Sequence, residues 1–166
     1  MATPPAAPAV RLLLRILDEA FDRKAWHGTT LRGSIRGLTA SEAVRRPSEG
    51  RHNVAELVMH AAYWKYTVRR RITGRKRGSF ALDGSNWFSA SSLTAGEWKE
   101  IVGLLKGEHD ELKRVVASLR DADLDRKPPG GGIWLVGQLV SGVAAHDLYH
   151  TGQIQLVKRI VKRPTD

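Results

Sequence analysis

Two histidines, His146 and His150, stand four positions apart in the segment Ala145-His-Asp-Leu-Tyr-His-Thr-Gly-Gln-Ile154. On a helix, residues four apart differ by about 40° around the axis and ~6 Å along it, so both imidazoles can reach one metal ion. A third donor is needed, and His60, in Ala55-Glu-Leu-Val-Met-His-Ala-Ala-Tyr-Trp64, is the candidate. Three neutral imidazoles suit a borderline divalent ion such as Zn²⁺ or Ni²⁺. They leave room for water or substrate, as a catalytic site does and a closed structural site does not. The competing reading is that these are hydrogen-bonded core histidines.

The elements that must position these residues are helices. Leu13, Ile16, Leu17 and Ala20 mark the inner stripe of a first helix starting near Ala7, with Pro8 tolerated in its first turn. The stripe continues through His27 and Leu31 to Ile35 and Leu38, with a break or kink at Gly28 and Thr29-Thr30. Thr39-Ala-Ser-Glu42 has capping-box spacing and opens a short helix that Pro47 ends. Ser48 to His52 is a polar connection, and Asn53 caps a second long helix, 54–73, that stops at Gly74. The stretch from Arg75 to Leu93 is rich in Gly, Ser and Asn and reads as a long surface loop. Thr94-Ala-Gly-Glu97 repeats the capping box before a third long helix marked by Trp98, Ile101, Leu105, Leu112, Val116 and Leu119. After the breaker Pro128-Pro-Gly-Gly-Gly132, residues from Ile133 to about Arg163 form a fourth helix closed by Pro164. Four long amphipathic helices, one short helix and a long loop between the second and third predict an all-α four-helix bundle, a single domain over residues 1–166 with 1–6 flexible.

The fourth helix can be phased against its own apolar stripe. With His146 as origin, Leu135, Leu139, Val143, Val157 and Ile160 fall within about 60° of it at 100° per residue. Both histidines therefore face the bundle interior, where an unpaired polar group costs on the order of 1–3 kcal/mol. His60 shares its face with Leu57, Trp64 and, obliquely, Val68. Gly142, one turn before His146, leaves room beside the site or permits close helix packing.

Composition narrows the chemistry. The chain has no cysteine, which excludes disulfides, thiolate metal sites and a cysteine nucleophile. Any thiol would come from a bound molecule. The formal charge is +10, from 27 Lys+Arg against 17 Asp+Glu, and is concentrated in Arg69-Arg-Arg-Ile-Thr-Gly-Arg-Lys-Arg77. That run suits the phosphates of a nucleic acid or a membrane surface, or is simply the basic last turn of a helix capped at Gly74; an acidic substrate is compatible with either. No apolar run approaches the ~20 residues of a membrane span, and Met1 to Ala9 has no signal-peptide pattern. A cytoplasmic protein is expected.

The segments Gly28 to Leu38, Asn53-Val-Ala-Glu-Leu-Val-Met-His-Ala-Ala-Tyr-Trp-Lys65 and, above all, His146-Asp-Leu-Tyr-His-Thr-Gly-Gln-Ile154 resemble the DinB superfamily of damage-inducible helix-bundle proteins. The resemblance covers nearly the whole chain in order and length. It implies a three-histidine site of His60, His146 and His150 that holds nickel or zinc. It also implies a range of activities, among them bacillithiol- and mycothiol-dependent transferases and isomerases in which the metal activates a low-molecular-weight thiol. Relatives are often dimers, so a homodimer is expected.

Several other residues are candidates for the chemistry around such an ion. Glu56, one turn before His60, could orient an imidazole or act as a general base, or lie on an exposed face. Gln153 returns to the histidine face and could bond a metal-bound water or substrate. His27, on the inward phase of the first helix, could serve as an acid/base; Trp64, Trp87 and Phe88 could wall a substrate pocket. A salt bridge or packing role suits Asp147 better than ligation, and His52 and His109 are poor ligand candidates. The pair His146-Asp147 superficially resembles HD phosphohydrolases, but the second His four residues on does not, and His-Glu-x-x-His is absent. The leading expectation is a metal-dependent thiol transferase or hydrolase acting on a small molecule. The alternatives are a non-catalytic metal-bound stress-response protein and a nucleic-acid binder using residues 69–77.

Overall fold

Pro8 opens the first helix, α1 (Pro8–Phe21), directly after Ala7, at a position where its missing N–H is not needed. The computed structural model describes residues 7–162. The expected flexibility of residues 1–6 and the expected stop at Pro164 lie outside the described residues; the last helix, expected to run to about Arg163, ends at Val161 with Lys162 as its cap. α1 buries Val10, Leu17, Ala20 and Phe21. Its stripe does not run on through His27 as expected. Residues 22–30 form a non-helical connection in which Gly28 takes φ 96°. A second short helix, α2 (Leu31–Ile35), then starts afresh on the Thr30 side chain, which accepts the Gly33 N–H at 3.1 Å.

The capping boxes at Thr39/Glu42, Asn53/Glu56 and Thr94/Glu97 open α3 (Ala40–Ala43), α4 (Val54–Thr73) and α5 (Ala95–Ala117). α4 ends where Gly74 adopts φ 71°, the left-handed cap for which glycine has no Cβ penalty. α5 stops short of Leu119, which still packs on the core. A 3-10 turn follows at Asp121–Asp123.

The last helix, α6 (Val136–Val161), begins three residues later than expected. Gly131 and Gly132, at φ 79° and 114°, bring the chain in extended, leaving Ile133 and Trp134 exposed and Leu135 as the cap. Its first N–H groups are taken by the Arg126 and Leu124 carbonyls. Ile160, expected on the inner stripe, is 43 % exposed.

α4 and α1 each pack against both α5 and α6, so α4 lies diagonal to α1 and α5 diagonal to α6 in a four-helix bundle; α2 leans on α6 and α3 on α5. The described residues contain no strand. No helix among them is long and apolar enough to cross a membrane.

Two apolar clusters make the core, one including Leu57, Leu105 and Ile154, the other Val68, Leu112 and Val140. Between these positions on each helix runs a belt of buried polar residues: Lys65 and Thr67 on α4, Glu108 and His109 on α5, Asp147, His150 and Thr151 on α6. Side chains so desolvated must pair or bind something.

Candidate metal centre

α4 and α6 face each other where His60 meets His146, and the histidines on α6 sit one turn apart as their spacing predicts. The Nε2 atoms of His146 and His60 are 3.1 Å apart, and those of His146 and His150 2.9 Å. His60 and His150 are buried and His146 half-buried.

The partners of the other ring nitrogens decide the tautomers. His60 Nδ1–H donates to the Asn86 carbonyl at 2.7 Å, and His150 Nδ1–H donates to Gln153 Oε1 at 2.6 Å. Both Nε2 atoms therefore carry lone pairs directed at His146. A proton on His146 Nε2 satisfies only one of them at a time. Protonating the rings is no remedy. Burial pushes His60 down to about 4 and His146 down to about 3, each also repelled by charge on its neighbours, and burial lowers His150 too.

A cation at the point of convergence satisfies all three nitrogens. Metal–nitrogen bonds of about 2.1 Å place neighbouring ligands roughly 3.0–3.4 Å apart, close to the separations here. The three ring nitrogens form a group that could hold an ion. Asn86 and Gln153 stand where the outer partners of metal-ligating imidazoles stand.

Asn86 carried no signal in the sequence beyond its place in a polar loop. It sits at φ 64°, a left-handed conformation that asparagine tolerates better than most residues. There its carbonyl meets His60 while its Oδ1 accepts the Trp64 Nε1–H at 3.0 Å. The next residue, Trp87, is inserted between His60 and His52, with ring centroids 3.8 and 3.7 Å away and planes within 12° and 3°. The long loop thus covers one side of the triad.

Two cavities adjoin the histidines. One of about 590 Å³ is lined by His146 with Trp64, Val68, Leu139, Gly142 and others. The second, about 570 Å³, is lined by His150 and Gln153 together with Trp87, His52 and Tyr149.

A DinB superfamily model matches residues 23–154. The chain belongs to the DinB superfamily. No curated protein and no solved structure matches it significantly. In this DinB-superfamily bundle the three histidines quoted above are the ones brought together, on α4 and α6.

The other candidates are distributed differently. His27 is exposed in the α1–α2 connection and lines neither cavity, because α1 ends six residues before it; the inward phase expected for it does not apply. Glu56 is buried and fully engaged. It pairs with Arg46, bonds His52 Nδ1 at 2.9 Å and accepts the Ala90 N–H at 3.2 Å. Burial pushes its carboxyl up, but these bonds outweigh burial and hold it below the usual carboxylate range. It reaches the triad only through His52 and Trp87, so it serves the loop and the helix cap. Gln153 bonds His150, and its Nε2 donates to the Tyr149 hydroxyl at 3.1 Å.

Trp64 lines the first cavity and Trp87 the second. Phe88 lines neither; it packs with Tyr63 and Phe80, anchoring the loop. Within the basic run, Arg69 makes a fork of bonds to Glu108 and Arg70 donates to the Arg75 carbonyl, so part of its charge serves the fold.

Proposed function

We propose that His60, His146 and His150 hold one divalent ion, zinc or nickel, and that this DinB-superfamily chain is a metal-dependent enzyme acting on a small molecule by thiol-dependent transfer or hydrolysis. The observation that carries the reading is the convergence of three imidazole nitrogens, 2.9 and 3.1 Å apart, beside two open cavities. When bound, such an ion lowers the pKa of a ligated thiol or water and so supplies a nucleophile near neutral pH. The protein's own residues do the positioning. The Asn86 carbonyl and Gln153 hold the tautomers of His60 and His150, and Trp87 excludes water from one face of His60. With no cysteine in the chain, a thiol nucleophile is a low-molecular-weight cofactor. The cavities favour this reading over a non-catalytic metal protein, whose ion would need no access. Family resemblance supports a cytoplasmic homodimer.

The test is metal content after loading with Zn²⁺ or Ni²⁺, in wild type beside His60→Ala, His146→Ala and His150→Ala, followed by thermal shift against a panel of thiols. Wild type is expected to retain one ion per chain and the variants to lose it. A wild-type protein that stays metal-free after loading sinks the proposal.

A further inference from the structure

α4 carries more along its site face than a ligand. His60, Trp64, Val68 and Arg71 follow one another at steps of four, four and three, which keeps them on one side of the helix. α6 runs antiparallel beside them, so Gly142 and Leu139 lie progressively farther from His146 along the same groove. The cavity of about 590 Å³ fills this groove, with His146 at one end and Arg71 at the other. Arg71 stands eleven helical steps beyond His60, about 16 Å along the axis.

Arg71 is half-buried, and among the described residues its guanidinium has no carboxylate partner, whereas the neighbouring Arg69 is paired with Glu108. The turn after Pro129 walls it in. Gly130 N–H donates to the Arg71 carbonyl at 2.8 Å, and a Cβ on Gly130 would stand 2.6 Å from the Arg71 Cα. A Cβ on Gly132 would lie 3.6 Å from Nη1, so the guanidinium rests against a backbone stripped of side chains. Arg71 lines this cavity together with Trp64, Val68 and Leu139, and its unpaired guanidinium is a half-made ion pair.

We propose that this cavity binds an elongated organic monocarboxylate, its carboxylate on Arg71, its apolar body against Trp64, Val68 and Leu139, and its other end at the histidines. One cation in otherwise neutral walls balances a monoanion, and the guanidinium fork matches a carboxylate bidentately. The occupant is on the order of 10 Å long, the helix span less the reach of the two end side chains. The chain's net charge of +10 favours the approach of an anion. The inference takes its reacting end from the metal-enzyme reading; the carboxylate site itself needs no ion.

The test therefore starts on metal-free protein. Octanoate is expected to bind at least tenfold more tightly than octanamide by calorimetry. Arg71→Met, which keeps the aliphatic stem, is expected to abolish that advantage, weakening octanoate far more than octanamide, with the melting temperature unchanged. Gly142→Phe is expected to block both. On zinc-loaded protein, an eight-carbon chain with a hydroxamate at one end and a carboxylate at the other is expected to exceed octanohydroxamate tenfold, and Arg71→Met to cancel the difference. Equal affinity for octanoate and octanamide, or an advantage that survives Arg71→Met, overturns the proposal. Loss of the zinc arm alone, with the octanoate preference intact, counts against the metal reading and not against the carboxylate site.

Discussion

Lys65 and Asp147 form an ion pair in which neither side chain is exposed to solvent, each one position from a residue of the candidate site, Trp64 and His146 respectively. Asp147 Oδ1 has no further hydrogen-bond partner, and burial pushes the carboxyl up even against Lys65. Removing one partner of such a pair strands a buried charge and costs about 3–5 kcal/mol, whereas replacing both by apolar residues is often neutral. Lys65→Met alone is expected to destabilise by that amount in urea denaturation, and Lys65→Met with Asp147→Leu to recover most of it. A double variant as unstable as the single one would mean that the pair does more than hold α4 to α6.

Gln153 fixes the His150 tautomer through a bond that leaves its Nε2 facing the other histidines. Gln153→Leu is expected to weaken metal binding by about 10–100-fold with little change in melting temperature. Asn86→Gly keeps both the left-handed backbone and the carbonyl that accepts from His60. Its metal affinity is expected to stay near wild type, as competition with a chromogenic chelator would measure.

Gly142 lies mid-helix on the wall of the cavity beside His146, and a Cβ there meets nothing within 4 Å. Gly142→Ala is expected to stabilise the protein by about 0.5–1 kcal/mol, the helix-interior difference between the two residues. A destabilised Gly142→Ala in urea would indicate a tighter groove than the one described.

His109 is buried, stacked on Phe21 with ring centroids 3.7 Å apart, and its Nδ1 has no partner. Burial, then the nearby Lys65 and Lys113 charges, push it from 6.5 down to about 2. Asp18, 3.6 Å from its Nε2, offers little relief because Lys113 already holds that carboxylate at 2.5 Å. With the native pKa below the unfolded one, the unfolded chain takes up the proton first. Stability contributed by neutral His109 is complete above pH 6.5 and is lost as pH falls from 6.5 toward 2, at about 1.4 kcal/mol per pH unit. Metal-free His109→Leu is expected to have a shallower acid limb by about that slope between pH 6 and 5, measured by urea unfolding. Parallel limbs in the two proteins would count against a neutral buried His109.

Local chemistry made much of the protein legible in its sequence. Asn53 and Gly74 bracket α4 because a side-chain oxygen at one end and a missing Cβ at the other are short-range requirements. The spacing of His146 and His150 places them together because the helix repeat leaves no other choice, and the apolar phase around them turns them inward. The same reasoning overran at His27, where a periodic stripe continued past a helix that Gly28 and Thr30 do not allow to continue.

Tertiary structure decided what periodicity cannot address. That His60 meets His146 depends on the antiparallel docking of α4 on α6, and that Trp87 and Asn86 cover the triad depends on the path of a loop with no period. Glu56, read in sequence as a partner for His60, a general base or an exposed residue, became the hub for Arg46, His52 and Ala90 only when the chain brought them together. Arg71 reads in sequence as one charge of a basic run, and its place at the end of a cavity follows from the turn at Gly130 pressing on the end of α4. Helix caps and faces depend on neighbours within one or two turns, so the sequence alone determines them. The triad, its cover and its cavity join residues dozens of positions apart, and only the packed chain brings those into contact.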